Sequence, residues 1–376
     1  MNTYRPISPL IAASMAALVL WPSPLVFSQG SLTPPAAPAP TMKTLDQIES
    51  RTPITNLPYT INVPGSYYFV TNLTGGESGG ITISASGVTL DLMGFELVGG
   101  TGAGIVVAGN QTNVAIRNGT VRSWSNTGVF TFFAKNSQLE RLAVSANGGG
   151  GISAGNNTTI IGCTAASNSG VGILVLDGSV VKDCAAQSNT GNGFQLSGGC
   201  TVSDCSASSN QGGIQVGDGS TVSGCTTRGN TVNGIMAGEG CTVNACTARS
   251  NGQHGITTTG SSTVSGCNAS SNTVDGINFG SSCRIVDNMC QGNGLTTGGA
   301  GIHATASRNR IDSNTVMGNL FGIDSGVATA NLIIRNSARG NTGVNYLIQT
   351  GNNSGAIIVS PGVGFSATNP WANFEF

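Results

Sequence analysis

The sequence predicts an all-β fold: a single-domain right-handed parallel β-helix, in which coils of about 21 residues stack into a solenoid with caps at both ends. A six-residue phrase that begins with Cys and ends with Asn recurs at intervals of 20 or 21 residues. Gly and a large apolar residue follow each copy, and a β-branched residue comes after the next Gly/Ser turn. So short a coil has no room for a helix, and the crossover rule for parallel strands favours the right-handed form. The copies begin at Cys163, Cys184, Cys205, Cys225, Cys246 and Cys267.

The composition excludes several classes of partner. Charged residues are 8% of the chain, against roughly 25% in typical globular domains. A formal net charge of −1 provides no field for nucleic acid or for an anionic membrane. Hydrophobic residues make up 39% and recur at fixed positions, which argues against disorder.

The two ends of the chain differ from the repeat. Arg5 precedes an apolar run, Ile11 to Leu20, that is too short to span a bilayer and is typical of an export signal. A retained membrane anchor is the alternative. We therefore expect a secreted or cell-surface protein with no membrane span after signal removal. The predicted organisation is a signal peptide at 1–28, a Pro/Ala-rich linker at 29–44, an N-terminal cap at 45–72, the β-helix at 73–350 and a C-terminal cap at 351–376.

The repeated Asn and Cys positions predict stacked polar and apolar columns. Each Asn falls at a turn, where its amide can bond its copies above and below while tolerating left-handed backbone angles. Small buried stacking residues explain the Cys column, since Asn288 and Asn314 occupy the same place further on. Disulfides between coils are the second reading, although parallel neighbours point the same way and would be strained. A metal site is the third, and no CxxC supports it. A second column alternates as Cys200, Ser220, Cys241, Ser262 and Cys283.

The coils resemble the right-handed parallel β-helix repeats of the pectin-lyase-like superfamily. The segment from Thr52 to Tyr68, followed by Val88 to Phe95, is similar to the N-terminal entry of secreted bacterial β-helix proteins. The resemblance implies lyases, hydrolases, epimerases or adhesins among its relatives. Gln253-His254-Gly255 only echoes a polygalacturonase-like motif, and the sequence has no Asp-Asp pair. Glycoside hydrolysis needs two carboxylates at one bond, so hydrolysis is disfavoured.

One set of polar residues predicts acid–base chemistry. Asn233, His254 and Asp275 each directly precede the Gly-apolar pair, so they should stack on consecutive coils. A carboxylate beside an imidazole raises its pKa and fixes its tautomer, as a general acid or base requires. Arg228 and Arg249 form a neighbouring two-coil column. We take His254, Asp275 and Arg249 as candidate catalytic residues, and Arg228 and Asn233 as candidate binding residues. The alternative is an outer turn position that tolerates any side chain.

Other polar and aromatic residues give weaker indications. His303 lies beside a Gly-rich insertion and has no partner visible in the sequence. Strand alternation predicts that Phe130 and Phe132 point inward, whereas Trp124 and Phe133 face outward as a platform for sugar rings. Core packing is the alternative for these aromatic residues.

No cofactor is expected, although a lyase-like activity would make Ca²⁺ possible. The acid pairs Asp183 with Asp204 and Asp218 with Glu239 lie one coil apart and could share Ca²⁺, or they could be ordinary solvated acids. Three functions remain open. The first is non-catalytic binding or display at extracellular polysaccharide, the second is a lyase or epimerase acting on uronic-acid chains, and the third is a structural surface protein or adhesin. The sequence sets no oligomeric state.

Overall fold

The computed structural model describes residues 50–77, 79–296, 298–360 and 368–376. The predicted signal peptide and Pro/Ala-rich linker, with the first residues of the predicted N-terminal cap, lie outside the described residues. Residues Ser50–Phe376 form one compact unit. Among the described residues, no helix is long and apolar enough to cross a membrane.

The described chain is a parallel β-solenoid with three faces, which we name A, B and C. Face C is a 14-stranded sheet, while faces A and B form one 28-stranded sheet because two long strands cross from one face to the other. Equivalent residues of successive coils pair in register along each face. This architecture confirms the predicted all-β parallel solenoid, and the in-register pairing reaches into the predicted cap, where Thr52–Ile54 pairs with residues 67–69.

The strands of face A are Thr52–Ile54, Gly65–Phe69, Val88–Asp91, Thr159–Ile161, Val180–Lys182, Thr201–Ser203, Thr221–Ser223, Thr242–Asn244, Thr263–Ser265, Arg284–Val286, Arg310–Asp312, Leu332–Ile334 and Asn353–Ser354. The strands of face B are Leu73–Thr74, Glu96–Gly100, Thr164–Ala166, Ala185–Gln187, Ser206–Ser208, Thr226–Arg228, Thr247–Arg249, Asn268–Ser270, Met289–Gln291, Thr315–Met317, Ser337–Arg339, Ile357–Val359 and Asn373–Glu375. Ala115–Trp124 and Gln138–Ser145 cross from face A to face B. The strands of face C are Tyr59–Ile61, Ile81–Ile83, Ile105–Val107, Val129–Thr131, Ile152–Ala154, Ile173–Val175, Phe194–Leu196, Ile214–Val216, Ile235–Glu239, Ile256–Gly260, Ile277–Ser281, Ala300–Ala304, Phe321–Asp324 and Tyr346–Leu347.

The core is a set of columns, one residue per coil. Face A contributes β-branched residues such as Val181, face B contributes mainly Ala, and face C contributes large residues such as Ile173, all fully buried. The Gly before each face C residue lies close to the Asn ladder. A Cβ on Gly172, for example, would lie 2.8 Å from Asn189 Nδ2 and 3.2 Å from Ala186 Cβ. The recurring Gly therefore serves close packing at this position.

All three corners are built from one two-residue unit. A residue with positive φ is followed by an inward side chain that hydrogen-bonds a neighbouring coil. Asp183 (φ 53°) precedes Cys184, Ser188 (φ 54°) precedes Asn189, and Gly199 (φ 63°) precedes Cys200. The left-handed residue is thus the one before the ladder residue, which corrects the expectation that the Asn residues themselves adopt αL angles.

The ladder residues bond in a fixed way. Asn189 Nδ2 donates to Asn210 Oδ1 at 3.0 Å, and the backbone N–H of Asn189 donates to the same oxygen at 3.0 Å. The Cys column behaves likewise, since the N–H of Cys163 donates to Cys184 Sγ at 3.4 Å. All ten cysteines are free and buried, and Asn288 continues their column through Asn314. The interpretation of these positions as small stacking residues is confirmed.

Candidate functional site

The predicted polar column lies where face B turns into face C. Asn233, His254 and Asp275 occupy consecutive coils, each separated by one Gly from the start of a face C strand. The N–H of His254 donates to Asn233 Oδ1 at 3.2 Å, and Gly255 N–H donates to the carbonyl of Asp275 at 2.9 Å. The expected stacking of these three residues is therefore confirmed.

Asp275 is the centre of a hydrogen-bonded cluster. Its Oδ2 lies 3.1 Å from His254 Nδ1, 3.0 Å from His303 Nδ1 and 2.8 Å from the donating Asn278 Nδ2. Its Oδ1 accepts the backbone N–H of Ala300 at 2.7 Å. The Asp275 side chain is 2% exposed, whereas those of His254 and His303 are 24% and 29% exposed. A buried carboxylate thus supports two imidazoles that reach the surface.

His303 joins the cluster through the outward column of face C. Asn278 pairs with His303, which pairs with Asp324, so these three side chains project from one line on consecutive coils. The longer coil before His303 hid this relation, because counting by 21 residues misses the pairing with Asn278. A local pattern in the sequence could have revealed this relation, since Asn278, His303 and Asp324 are each the second residue after a Gly. We name His254, Asp275, His303 and Asp324 the His–Asp cluster.

The inserted loop explains the burial of Asp275. Its end residue Gly299 lies so close that a Cβ there would be 2.3 Å from Val274 O and 3.0 Å from Asp275 Oδ1. Gly299 N–H also donates to Gly294 O at 3.3 Å, which closes the loop at its base. The loop therefore positions the Ala300 N–H to donate to the Asp275 carboxylate.

Electrostatics favour a charged Asp275 and a protonated His303. Burial acts to raise the pKa of Asp275, but hydrogen bonds from His254, His303 and the Ala300 N–H together hold it below its usual range. The hydrogen bond to Asp275 raises the pKa of His303 against the opposing effect of burial. His303 Nε2 also lies 4.0 Å from Asp324 Oδ2. Four consecutive coils thus alternate imidazole and carboxylate.

The contacts to Asp275 favour one tautomer of each imidazole. Both Nδ1 atoms lie within hydrogen-bond distance of one carboxylate oxygen, which can only accept. Each Nδ1 donates to this oxygen when it carries the proton, whereas the Asp275 N–H, 3.4 Å from His254 Nδ1, is a donor to the other tautomer. With the proton on Nδ1, a neutral imidazole has a lone pair on Nε2 that can accept a proton, and a protonated imidazole has an Nε2–H that can donate one. The cluster can consequently remove a proton at one imidazole and supply one at the other.

Arg249 and Arg228 are separate from this cluster. They pair with each other on face B, where both are exposed, whereas the His–Asp cluster projects from face C and its corner. Within the described part of the chain, no hydrogen bond or ion pair joins Arg249 to His254 or Asp275. Arg249 thus lies on a different face from His254 and Asp275, because the ladder corner at Asn251 turns the chain between the two faces.

Trp124 is buried, so its proposed place on a surface platform is wrong. It follows Ser123 (φ 61°), and its N–H donates to Asn147 Oδ1 at 3.0 Å. Trp124 therefore occupies the ladder position of its coil and points inward. Its Nε1–H donates to Leu97 O at 3.2 Å, and the ring packs against glycines such as Gly75 and Gly100, where a Cβ would lie 2.3 Å and 2.6 Å from ring atoms.

The phenylalanines form an outward cluster instead. Val129 and Thr131 are fully buried, so Phe130 between them points outward, contrary to the sequence-based prediction. The Phe130 and Phe132 rings stack at 6.1 Å, and Phe133 packs edge-on at 6.0 Å and 5.3 Å from them. Phe133 is 54% exposed, as expected. We name these three rings the Phe platform.

Three cavities follow face C, the first beside Phe130 on the side away from the His–Asp cluster and the other two between the Phe platform and that cluster. One of about 230 Å³ borders Phe130 and Val106. The next, of about 320 Å³, is lined by Phe132, Leu174 and Gln195 among others. The third, of about 270 Å³, is lined by Asn192, Gln215, Met236 and Asn233 among others and ends beside His254.

Among the described residues, no group of three or more His, Cys, Asp or Glu side chains is arranged to hold a metal ion. Of the predicted acid pairs, Asp218 Oδ1 accepts the N–H of Glu239 at 2.7 Å, and Asp183 has a positive φ at a corner.

The stacked coils make this chain a right-handed parallel β-helix protein, and residues 103–251 match the family described as "Right handed beta helix region". Among solved structures, it is similar to the A-module of mannuronan C-5 epimerase AlgE6 from Azotobacter vinelandii (14% identity, 83% of this chain and 89% of that chain covered, TM-score 0.51). It is also similar to the AlgE4 A-module from Azotobacter vinelandii (17%, 78% and 91%, 0.48) and to the periplasmic alginate epimerase AlgG (15%, 72% and 77%, 0.43). Comparison with curated proteins finds no significant match.

Proposed function

We propose that this protein acts outside the cytoplasm on an acidic polysaccharide, which lies along face C while the His–Asp cluster transfers protons at one uronic-acid residue. The observation that supports this is the buried Asp275, whose Oδ2 contacts the Nδ1 atoms of both partly exposed histidines. The Nε2 atom of each imidazole is thereby left for a substrate. The structurally similar AlgE6 A-module is a mannuronan C-5 epimerase, which agrees with this substrate class.

The proposed chemistry begins at C5 of a uronate. His254 Nε2 accepts the C5 proton, and Asp275 stabilises the imidazolium that forms. In a lyase, the electron pair forms the C4–C5 double bond, the C4–O4 bond breaks, and His303 Nε2–H donates its proton to O4. In an epimerase, the C4–O4 bond stays intact and His303 Nε2–H donates a proton to C5 from the opposite face. In both cases, the protonated His303 supplies positive charge beside the substrate carboxylate until this proton is transferred.

Two readouts test the proposal, because both reactions begin with removal of the C5 hydrogen but give different products. The protein is incubated in D₂O with polymannuronate or polygalacturonate, with and without Ca²⁺. An epimerase places deuterium on C5, which mass spectrometry measures, whereas a lyase leaves unsaturated ends without a C5 hydrogen, which ultraviolet absorbance measures. We expect one of these two signals with the wild type, loss of it in His254→Gln, and the wild-type signal in Asp177→Asn, which changes an exposed acid away from the cluster. Neither signal in the wild type, or an equal signal in wild type and His254→Gln, would refute the assignment.

Non-catalytic polysaccharide binding is the second candidate, and the cavities along face C favour it. Binding without chemistry predicts that both polymers bind, that none shows deuterium at C5, and that His254→Gln binds as the wild type does. Calorimetry of the same polymers distinguishes the two functions.

A further inference from the structure

The Phe platform is an exposed aromatic surface that the proton-transfer chemistry does not use. Its three rings contact one another, and Phe133 presents about half of its surface to solvent. Aromatic rings that pack together keep a fixed orientation, and such a face suits the apolar C–H side of a sugar ring. A single exposed Phe would need no explanation, but three that touch on one outer face form a patch of a kind often tied to binding.

Phe130 of the Phe platform lies on a line of paired residues that leads along face C to the coils of the His–Asp cluster. Register pairing along face C runs from Phe130 through Ser153, Leu174, Gln195, Gln215 and Met236 to Thr257, which is on the coil of His254. These are six coil steps, or about 29 Å at ~4.8 Å per step. The cavities described above border this line.

The outward residues between the two sites carry no charge. Ser, Leu, Gln, Gln and Met offer hydroxyl, amide and apolar groups, and Asn192 Nδ2 donates to Gln215 Oε1 at 2.7 Å, which orients that amide. Such a lining suits the hydroxyls and C–H faces of a sugar chain. It gives no repulsion along the path of an anionic polymer.

We propose that the Phe platform is a distal binding site for the same polysaccharide chain whose uronate is placed at the His–Asp cluster. This inference rests on the proposed function. A residue of an extended 1,4-linked sugar chain is about as long as one coil step of ~4.8 Å, so about six residues separate the two sites. A chain of about eight residues or more occupies both sites, whereas a tetramer at the cluster does not reach the platform. The platform therefore selects long chains.

Binding of long and short ligands by one variant tests the distal site. Phe132→Ala/Phe133→Ala is compared with the wild type against polymannuronate, polygalacturonate and their tetramers by calorimetry. Loss of the stacking contacts should weaken polymer binding about tenfold and leave tetramer binding unchanged. Trp371→Ala is the matched control, since Trp371 is also half-exposed but borders a cavity beside face A residues Arg310 and Leu332, so polymer binding should not change.

The outcomes separate the distal site from the proposed function. Failure of the wild type to bind either polymer or tetramer overturns both. Tetramer binding with equal polymer affinity in the wild type and the double variant overturns the distal site and leaves the function standing. Equal losses for polymer and tetramer also overturn it, because the effect would then not depend on length. If the wild type dimerises in sedimentation and the double variant does not, the platform is a self-association surface and the proposal is overturned.

Discussion

Replacing Asp275 by Asn tests how the cluster is held together. The substitution keeps the volume of the side chain and an acceptor for the Ala300 N–H, but it removes the charge that receives two imidazole Nδ1–H groups. A hydrogen bond to a charged group contributes about 1.5–3 kcal/mol, and breaking a buried charged pair costs about 3–5 kcal/mol. Because the histidines are partly exposed and can rehydrate, we expect the free energy of unfolding to fall by about 3 kcal/mol at acidic pH.

The pH dependence of this loss has a definite sign. The folded pKa of His303 is raised by Asp275, so its stabilising contribution is complete below the unfolded pKa of about 6.5 and disappears as pH rises through the folded value. Asp275, whose pKa is lowered, contributes above about pH 4 and loses its contribution only at lower pH. The destabilisation by Asp275→Asn should therefore be larger near pH 5.5 than near pH 9, values chosen on either side of the His303 titration.

Urea unfolding followed by far-ultraviolet circular dichroism measures this difference at both pH values. Asp177→Asn is the control, because this exposed carboxylate accepts the Gly198 N–H at 3.0 Å and contacts no histidine among the described residues. Its effect should be small and should not depend on the titration of His303. Equal destabilisation by Asp275→Asn at the two pH values would refute the electrostatic account of the cluster.

Three further substitutions or treatments test the architecture. Asn230→Ala removes the hydrogen bonds that Asn230 Nδ2 donates to Asn251 Oδ1 (3.0 Å) and Ala207 O (3.2 Å), and it leaves the Asn210 N–H without its acceptor. The free energy of unfolding in urea should therefore fall by about 3 kcal/mol. A decrease as small as that of the exposed control Asn126→Ala would contradict the ladder's contribution. Thr227→Val should raise the free energy of unfolding by about 1 kcal/mol, because the buried Oγ1 has no hydrogen-bond partner among the described residues and a methyl group fills the same space; destabilisation would disprove this. All ten cysteines are buried, and burial raises the pKa of the Cys290 thiol. Iodoacetamide should therefore leave the native protein unmodified and alkylate every thiol in urea, as measured by mass spectrometry. Alkylation of the native protein would show that the coils open.

The repeat made most of the fold predictable, because each coil restates the same spacing. Columns of Cys, Asn and β-branched residues follow from that spacing alone, and so does the stacking of His254 on Asp275. The spacing does not show whether a given side chain points into the core or toward solvent. The sequence predicts an exposed Trp124, but its position after the left-handed Ser123 places it in the ladder. The sequence predicts a buried Phe130, but its two neighbours occupy the core positions.

The candidate site was predictable in part for the same reason. His254 and Asp275 lie in the regular coils, so a count of 21 residues aligns them. His303 comes after the insertion, where that count fails, and its contact with Asp275 depends on how the loop closes at Gly299. The face on which Arg249 lies could not be predicted, because proximity in sequence does not reveal the corner between two faces.

The shared corner unit determines how such a protein can change in size. Since a left-handed residue and a bonded inward residue mark each corner, a coil is complete only when all three units are present. Duplication of a whole coil would add one more layer to every ladder and leave the pairing above and below unchanged. A partial duplication instead adds residues at a corner without adding a layer. Growth by whole layers preserves the ladders, and insertions at the corners are where new chemistry can be added.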